Sequence, residues 1–333
     1  MNKLRMGILG AGRIAAKMAD TVAKMDSAVV CAVASRDEDR ARAFASRHGV
    51  KKAFSSYEAM LDDPEVELAY VATPNNLHLE HMRLGLERGK HILCEKPFAI
   101  DARQAGEAIE LAEKKNLLLA EAIWTRYLPF CGTIRKLLSD GIIGEPSGLI
   151  ASLGNNVQEW QRINDPALGG GALMDLGVYL LNFAAMFFGT EVERIAAECL
   201  KHPSGVDLQT SLTLCYQSGK MAVLHATTQA GASHRAAIYG DKGYLEVEKL
   251  NNPQSIRVFS PDRVPGEIFR CPPQITGFEY QVEAAASAIR AGRTECPEMP
   301  HSEILAIMRL MDAFRARLGI PLPWEVCPAS SRN

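Results

Sequence analysis

A short apolar run, Arg5–Gly10, ends in Gly10-Ala11-Gly12-Arg13-Ile14-Ala15, and helical spacing begins at once over Ile14–Lys24. The hexapeptide has the G-x-G-x-x-A form, and each small residue has a reason. Gly10 permits the tight turn out of a strand, Gly12 lets backbone approach a pyrophosphate, and Ala15 permits close helix–strand packing. The N–H groups that open the following helix then face the phosphates, so Gly10, Gly12, Arg13 and Ile14 are candidate dinucleotide contacts.

The rest of the first third repeats this rhythm. Strands are predicted at Ala28–Ala34, Leu68–Ala72, His91–Cys94 and Leu117–Ala120. Helices are predicted at Asp37–His48, Asn76–Arg88 and from an Asp101 cap to about Lys115. Strand, helix, strand in this order predicts a doubly wound parallel sheet over residues 1–122. Past Ile123 the pattern changes. A helix at Phe130–Ser139 precedes strands at Ser147–Leu153, Glu193–Leu200, Gln209–Tyr216, Lys220–Thr228, Ala236–Tyr239 and Tyr244–Lys249. Turns at Gln217-Ser218-Gly219 and Gly240-Asp241-Lys242-Gly243 mark hairpins, so 123–333 is predicted to be an α+β domain with a large antiparallel sheet. Helices return at Phe278–Ala291 and Ser302–Leu318, and Pro321, Pro323 and Pro328 predict an extended tail. The active site is expected in the cleft between the domains, at the carboxyl ends of the parallel strands.

Composition narrows the partners. Hydrophobic residues make up 47%, charged residues 23%, and the net charge is −2. That balance fits a globular protein and gives no electrostatic footprint for nucleic acid or an anionic membrane. The apolar stretch Leu176–Phe188 is too short to span a bilayer and reads as a core helix. Eight scattered cysteines without a C-x-x-C predict free thiols, and no metal cluster has credible ligand spacing. Strand character begins so near Met1 that no signal peptide is expected, which predicts a cytoplasmic protein.

Cofactor choice is read at the end of the second strand, where an NAD enzyme places an acid for the ribose 2′-OH. Here Ser35 and Arg36 stand at that point, and a guanidinium suits a 2′-phosphate. NADP is therefore expected, with NAD the weaker alternative because Asp37 follows. Thr73, Asn75 and His78 lie in the loop after the Leu68–Ala72 strand and are further cofactor candidates, although Asn76 and His78 also suit purely structural roles.

Two constellations carry chemistry. Glu95-Lys96-Pro97 follows a strand, and the Lys96 cation there is placed to stabilise a developing alkoxide. Gly169-Gly170-Gly171 precedes a helix on which Asp175, Tyr179 and Asn182 share one face by spacing. That polar face is either a substrate-lined surface or a buried network supporting the fold.

Gly10–Ala15, Glu95-Lys96-Pro97 and Asp175-Leu176-Gly177-Val178-Tyr179 together resemble the glucose-fructose oxidoreductase/inositol dehydrogenase (Gfo/Idh/MocA) family, over nearly the whole chain. Glu121-Ala122-Ile123-Trp124-Thr125-Arg126-Tyr127-Leu128-Pro129 and Gly277-Phe278-x-Tyr280, followed by a helix, resemble its dimeric dihydrodiol dehydrogenase and NADP-dependent xylose dehydrogenase branch. The resemblance implies a Rossmann domain, an open sheet domain used for homodimerisation, and a hydride transfer between nicotinamide and a CH–OH group of an aldose or cyclic trans-dihydrodiol. It implies that Lys96 is catalytic and that Tyr179 moves the proton, with Lys96 favouring the phenolate and Asp175 positioning substrate or Lys96. Glu95 and Lys96 are also expected near the cofactor. Many members carry a second aspartate where Asn182 stands, so Asn182 is given no proton-transfer role. Trp124, Arg126, Phe278 and Tyr280 are candidate substrate-pocket residues, with Trp160 and Arg162 weaker ones. Two other functions remain open: a carbonyl reductase working in the reverse direction, and a catalytically silent NADP-binding regulator.

Overall fold

In a computed structural model, which describes residues 3–326, the first 127 residues form strands β1 (Leu4–Leu9), β2 (Ala28–Ala34), β3 (Lys52–Phe54), β4 (Leu68–Val71), β5 (His91–Glu95) and β6 (Leu119–Ala122). Helices α1 (Arg13–Val22), α2 (Glu38–His48), α3 (Tyr57–Leu61), α4 (His78–Glu87) and α5 (Ala102–Lys115) connect them. The strands make one six-stranded parallel sheet in the order β3-β2-β1-β4-β5-β6. This is the doubly wound order, and β1 is buried almost throughout because helices cover both faces.

Helix ends follow local chemistry. Asp37 caps α2 by accepting the Arg40 N–H, Glu38 and Asp39 complement its positive end, and Gly49 leaves it in the left-handed region at φ 67°. Asp101 caps α5 through the Gln104 N–H, as its sequence position predicts. Two elements here had no clear pattern: β3 is only three residues long, and β6 begins two residues later than the apolar run at Leu117 suggests.

The chain continues through α6 (Pro129–Ser139), β7 (Pro146–Gly154), α7 (Gln161–Asn164) and α8 (Val178–Phe188). Strands β8 (Val192–Lys201), β9 (Asp207–Tyr216), β10 (Met221–Thr227), β11 (Arg235–Gly240), β12 (Gly243–Glu248), β13 (Ser255–Phe259) and β14 (Pro265–Arg270) follow. Helices α9 (Glu279–Arg290), α10 (His301–Leu318) and α11 (Pro323–Val326) complete it. The second sheet has eight strands in the order β14-β13-β12-β11-β7-β10-β9-β8. It is largely antiparallel, and both expected hairpins are present, β9–β10 and the two-residue β11–β12 turn that pairs Gly240 with Gly243. One pairing departs from the expectation: β7 and β10 are parallel, because β7 enters the sheet centre from a helical segment rather than a hairpin. Strands β13 and β14 were not anticipated, since Pro265 and the charged residues around them break the apolar alternation. The predicted extended tail is corrected as well. Pro323 opens α11, as proline does at a helix start, and Pro328 and Cys327 lie outside the described residues.

Two compact units result: Met1–Tyr127 with Gln274–Leu305, and Leu128–Pro273 with Ala306–Asn333. The returning segment is tied to the first unit by a Thr21–Thr276 hydroxyl bond of 2.8 Å and by His301 Nε2 against the Leu119 carbonyl at 2.9 Å. In the second unit, Pro166–Phe188 is a helical stretch long and apolar enough to cross a membrane, and 89% of its most apolar window is buried inside the fold, as a core helix would be.

Candidate active site

The glycine turn is built as its sequence suggests. Gly10 has φ 99°, and a Cβ there would stand 2.8 Å from the Ala72 carbonyl oxygen, so β1 and the end of β4 approach more closely than a side chain allows. A Cβ on Gly12 would meet nothing within 4 Å, and no side chain caps α1. The turn is thus an open cradle beneath a helix end that lacks a capping side chain, which fits a pyrophosphate. At the end of β2, Ser35 is buried and its hydroxyl accepts the Asp37 N–H at 3.3 Å. Arg36 stands beside Tyr57 and His81, where its positive charge opposes protonation of His81, after burial the second influence holding that imidazole down to about 4. Asp37 is engaged in capping α2. The sign of charge at this strand end is therefore positive, which suits a 2′-phosphate better than a bare ribose.

The loop after β4 carries Thr73, Asn75 and His78. The Thr73 hydroxyl bonds His81 Nδ1 at 2.8 Å. His78 is fully enclosed, with Nδ1 at 2.9 Å from the Pro97 carbonyl and Nε2 at 3.0 Å from that of Thr73. Burial pushes its pKa down to about 4. His78 therefore lies between the loop after β4 and the turn after β5, and as a neutral ring it donates its one N–H to one of those two carbonyls. Asn76, which the sequence offered only as a helix cap, keeps a buried Oδ1 without a hydrogen-bond partner among the described residues. An orphaned acceptor in this loop fits a donor on the cofactor.

Beyond β5 the half-buried Lys96 precedes a cis peptide bond to Pro97. Glu95 is buried, bonded through Oε1 to the Tyr70 hydroxyl and through Oε2 to the Lys96 N–H at 3.2 Å. Burial raises its pKa, while Tyr70 and the Lys96 and Lys17 charges pull it back. Glu95 is thus a support beneath Lys96. Among the aromatic candidates, Trp124 packs on Phe278 with ring centres 4.8 Å apart, and the Lys17 ammonium lies 4.5 and 4.1 Å from the two centroids. Glu279 holds the 275–277 loop by accepting the N–H groups of Ile275, Thr276 and Gly277 at 2.6, 3.0 and 2.7 Å, which fixes the start of α9 and with it Phe278 and the half-buried Tyr280. Arg126 is buried and pairs with Glu303 at 2.5 Å. Lys17, Tyr70 and Glu279 were not singled out in sequence, because each lies inside an ordinary helix or strand pattern, and Glu121 entered only as part of the run that carries the branch resemblance.

In the second unit, Leu173–Gly177 forms a π-turn that runs into α8. Such turns re-aim side chains, so Asp175 and Tyr179 do not follow simple α spacing. Gly171 has φ 106°, and a Cβ there would overlap the Asp207 carboxylate. Asp207 Oδ2 accepts the Leu173 N–H at 2.7 Å and the Thr210 hydroxyl, anchoring the glycine run. Asp175 accepts a 3.1 Å bond from Arg162, whose guanidinium lies 5.5 Å from the Trp160 ring centre. Tyr179 is 9% exposed. Asn182 is fully buried and donates to the Val178 carbonyl one turn back at 2.9 Å.

Known proteins fit this arrangement. Residues 4–122 match the model described as the oxidoreductase family with an NAD-binding Rossmann fold, and 132–246 match the GFO/IDH/MocA C-terminal domain. The chain belongs to the Gfo/Idh/MocA oxidoreductase family. A trans-1,2-dihydrobenzene-1,2-diol dehydrogenase from Xenopus tropicalis is 34% identical over 328 residues, spanning 96% of this chain and 99% of that one. Among solved structures of similar fold, KijD10, a 3-ketoreductase from Actinomadura kijaniata in complex with NADP and TDP-benzene, has a TM-score of 0.86 at 28% identity, covering 95% and 98% of the two chains. An aldose-aldose oxidoreductase from Caulobacter crescentus complexed with glycerol has a TM-score of 0.85 at 25% identity, covering 95% and 97%. By name, these similar proteins are a dihydrodiol dehydrogenase, a 3-ketoreductase and an aldose-aldose oxidoreductase.

Proposed function

We propose that this Gfo/Idh/MocA protein is an NADP-dependent oxidoreductase acting on a CH–OH group of an aldose or a cyclic trans-dihydrodiol. The observation that carries the reading is the positive end of β2 beside an uncapped glycine cradle, in a chain that keeps both Lys96 and Tyr179. Gly10, Gly12, Arg13 and Ile14 hold the pyrophosphate, Ser35 and Arg36 the 2′-phosphate, and Thr73, Asn75, Asn76 and Lys96 the nicotinamide half. When bound, NADP supplies the nicotinamide carbon that exchanges hydride with the carbinol carbon. In oxidation Tyr179 accepts the hydroxyl proton while Lys96 stabilises the negative charge growing on the substrate oxygen. Asp175 orients substrate hydroxyls, and Trp124, Arg126, Phe278 and Tyr280 shape selectivity. NADP-bound relatives support the cofactor, and KijD10 was also solved with a lysine replaced and with a tyrosine changed to phenylalanine, the same two residue types. The ketoreductase relative favours a second reading of the same chemistry, run as carbonyl reduction.

A panel of aldoses, inositols and cyclic trans-diols, followed at the reduced-nicotinamide absorbance band with NADP and with NAD, tests this. NADP reduction by one substrate class is expected. Arg36→Ala is expected to weaken NADP binding by about 10–100-fold, the worth of one charge-assisted phosphate contact, and to leave NAD binding unchanged. Equal losses for both cofactors would remove the 2′-phosphate assignment.

The partner is a second copy of the chain, in the cytoplasm. The outer face of the eight-stranded sheet supports this, since Ile150, Met221 and Tyr239 stand on one face with 52%, 48% and 38% exposure. Light scattering is expected to return the mass of two subunits, and a one-subunit mass would remove the dimer.

A further inference from the structure

The helical run Leu173–Phe188 begins buried and without a cap of its own. Ala172 places no side-chain hydrogen bond on it, and the residues before that are the glycines 169–171. The first N–H groups of such a run need acceptors, and a buried one left bare is costly. Asp207, the first residue of β9, supplies an acceptor from 34 residues along the chain. Its side chain is fully buried, and Oδ2 accepts the Leu173 N–H at 2.7 Å and the Thr210 hydroxyl. Oδ1 has no hydrogen-bond partner among the described residues and stands where a Cβ on Gly171 would go. A carboxylate at this place also meets the positive end of the helix dipole. The glycines are held from the other side as well. Gly171 donates to the Ile163 carbonyl at 2.8 Å, Gly170 donates to that of Asp165 at 3.1 Å, and a Cβ on Gly170 would overlap the Ile163 carbonyl. The Gly171 carbonyl in turn accepts the Asp175 N–H at 3.1 Å, so the segment leading to Tyr179 hangs directly on this clamp.

We propose that Asp207 is a positioning residue for Tyr179: its buried carboxylate caps the run from β9 and fixes the height and rotation at which Leu173–Phe188 presents the tyrosine. The cap is remote, and that is why glycine stands at 170 and 171, where a side chain would push Asp207 and the Ile163 backbone apart. Asp207 acts through the helix and takes no part in binding or proton transfer. The inference rests on the proposed role of Tyr179 and adds a group that role does not contain. A carboxylate suits the task better than a neutral side chain, because it accepts both bonds with charge assistance.

Asp207→Asn keeps the shape and removes the charge. Its kcat is expected to fall about 10-fold, the worth of one charge-assisted hydrogen bond. NADP affinity should stay within about twofold, since every proposed cofactor contact lies in the first unit and Asp207 in the second. Thr210→Val is a milder change that removes one of the two bonds to Oδ2 and should cost about threefold, and Thr210→Ser, which keeps the hydroxyl, should recover most of that loss. The deciding measurement repeats Asp207→Asn and Thr210→Val in Tyr179→Phe. There kcat should drop no further, within about twofold, because the helix position matters only through the hydroxyl already removed. A fall by the same factor in both backgrounds is what a purely structural carboxylate would give, and it would overturn the proposal. A second measurement is independent of turnover: amide hydrogen exchange at Leu173 should be about 10-fold faster in Asp207→Asn than in the wild type, and an unchanged rate would remove the cap. Full turnover in Tyr179→Phe alone would end the reading of Tyr179 and this inference with it, while exchange at Leu173 would still report on the cap by itself.

Discussion

Tyr179→Phe is expected to lower kcat by about 10²–10⁴-fold, the usual contribution of a positioned proton-transfer group. That is about 2.7–5.4 kcal/mol of transition-state stabilisation at 1.36 kcal/mol per tenfold. The substitution removes one oxygen and leaves the ring, so the buried packing of Tyr179 at the start of α8 is kept. Substrate KM and NADP affinity should change little, because the lost interaction belongs to the transition state. Steady-state rates in each direction check this, and a variant with full turnover would end the proton-transfer role.

Lys96→Met is expected to cost about 10²–10³-fold in kcat, comparable to losing one preorganised donor to a developing oxyanion. The change keeps length and removes charge. It also leaves Glu95 without the cation that helps offset its burial, so the buried carboxyl should protonate more readily. Lys96→Arg should recover only part of the loss, because a planar fork does not reproduce a point ammonium. If Tyr179 and Lys96 serve the same substrate oxygen, the double variant should be scarcely slower than the worse single one. Multiplicative losses would mean that the two act in separate steps. A Lys96→Met that changes only the NADP dissociation constant would reduce the lysine to a cofactor contact.

Much of the first unit was legible along the chain because its signals are local. The Gly10–Ala15 turn, the Asp37 and Asp101 caps and the apolar runs of β1, β2, β4 and β5 each announce themselves within a few residues. The cationic end of β2 is local too, being Arg36 next to its strand. The short β3, the late start of β6 and the charged β13 and β14 were not legible, since their pairing energy comes from neighbours distant in sequence.

At the site the same division recurs. Lys96, Asp175 and Tyr179 carry motif-like surroundings, so sequence picks them out. Glu121 reads as one more residue of a buried strand, Asp207 as the first residue of another, and Tyr70 as core. Their contacts appear only when the fold buries Glu121 on β6 and sets Asp207 beneath Gly171 and Leu173 and Tyr70 against Glu95. Tertiary placement also separates the polar candidates by their contacts. His78 lies between two carbonyls and Asn182 bonds its own helix, while Asp175 faces Arg162.

By itself, the sequence determined the Rossmann unit, the glycine turn and the positive residue at the end of β2, because turns, caps and period-two or 3.6 patterns are written in adjacent residues. Only the tertiary structure decided that 274–305 returns to the first unit, that β7 runs parallel to β10, and that Glu121 on β6 is buried. Strand pairing between distant segments and the desolvation of a charge both depend on what the folded chain brings together, and neither is a property of any stretch read alone.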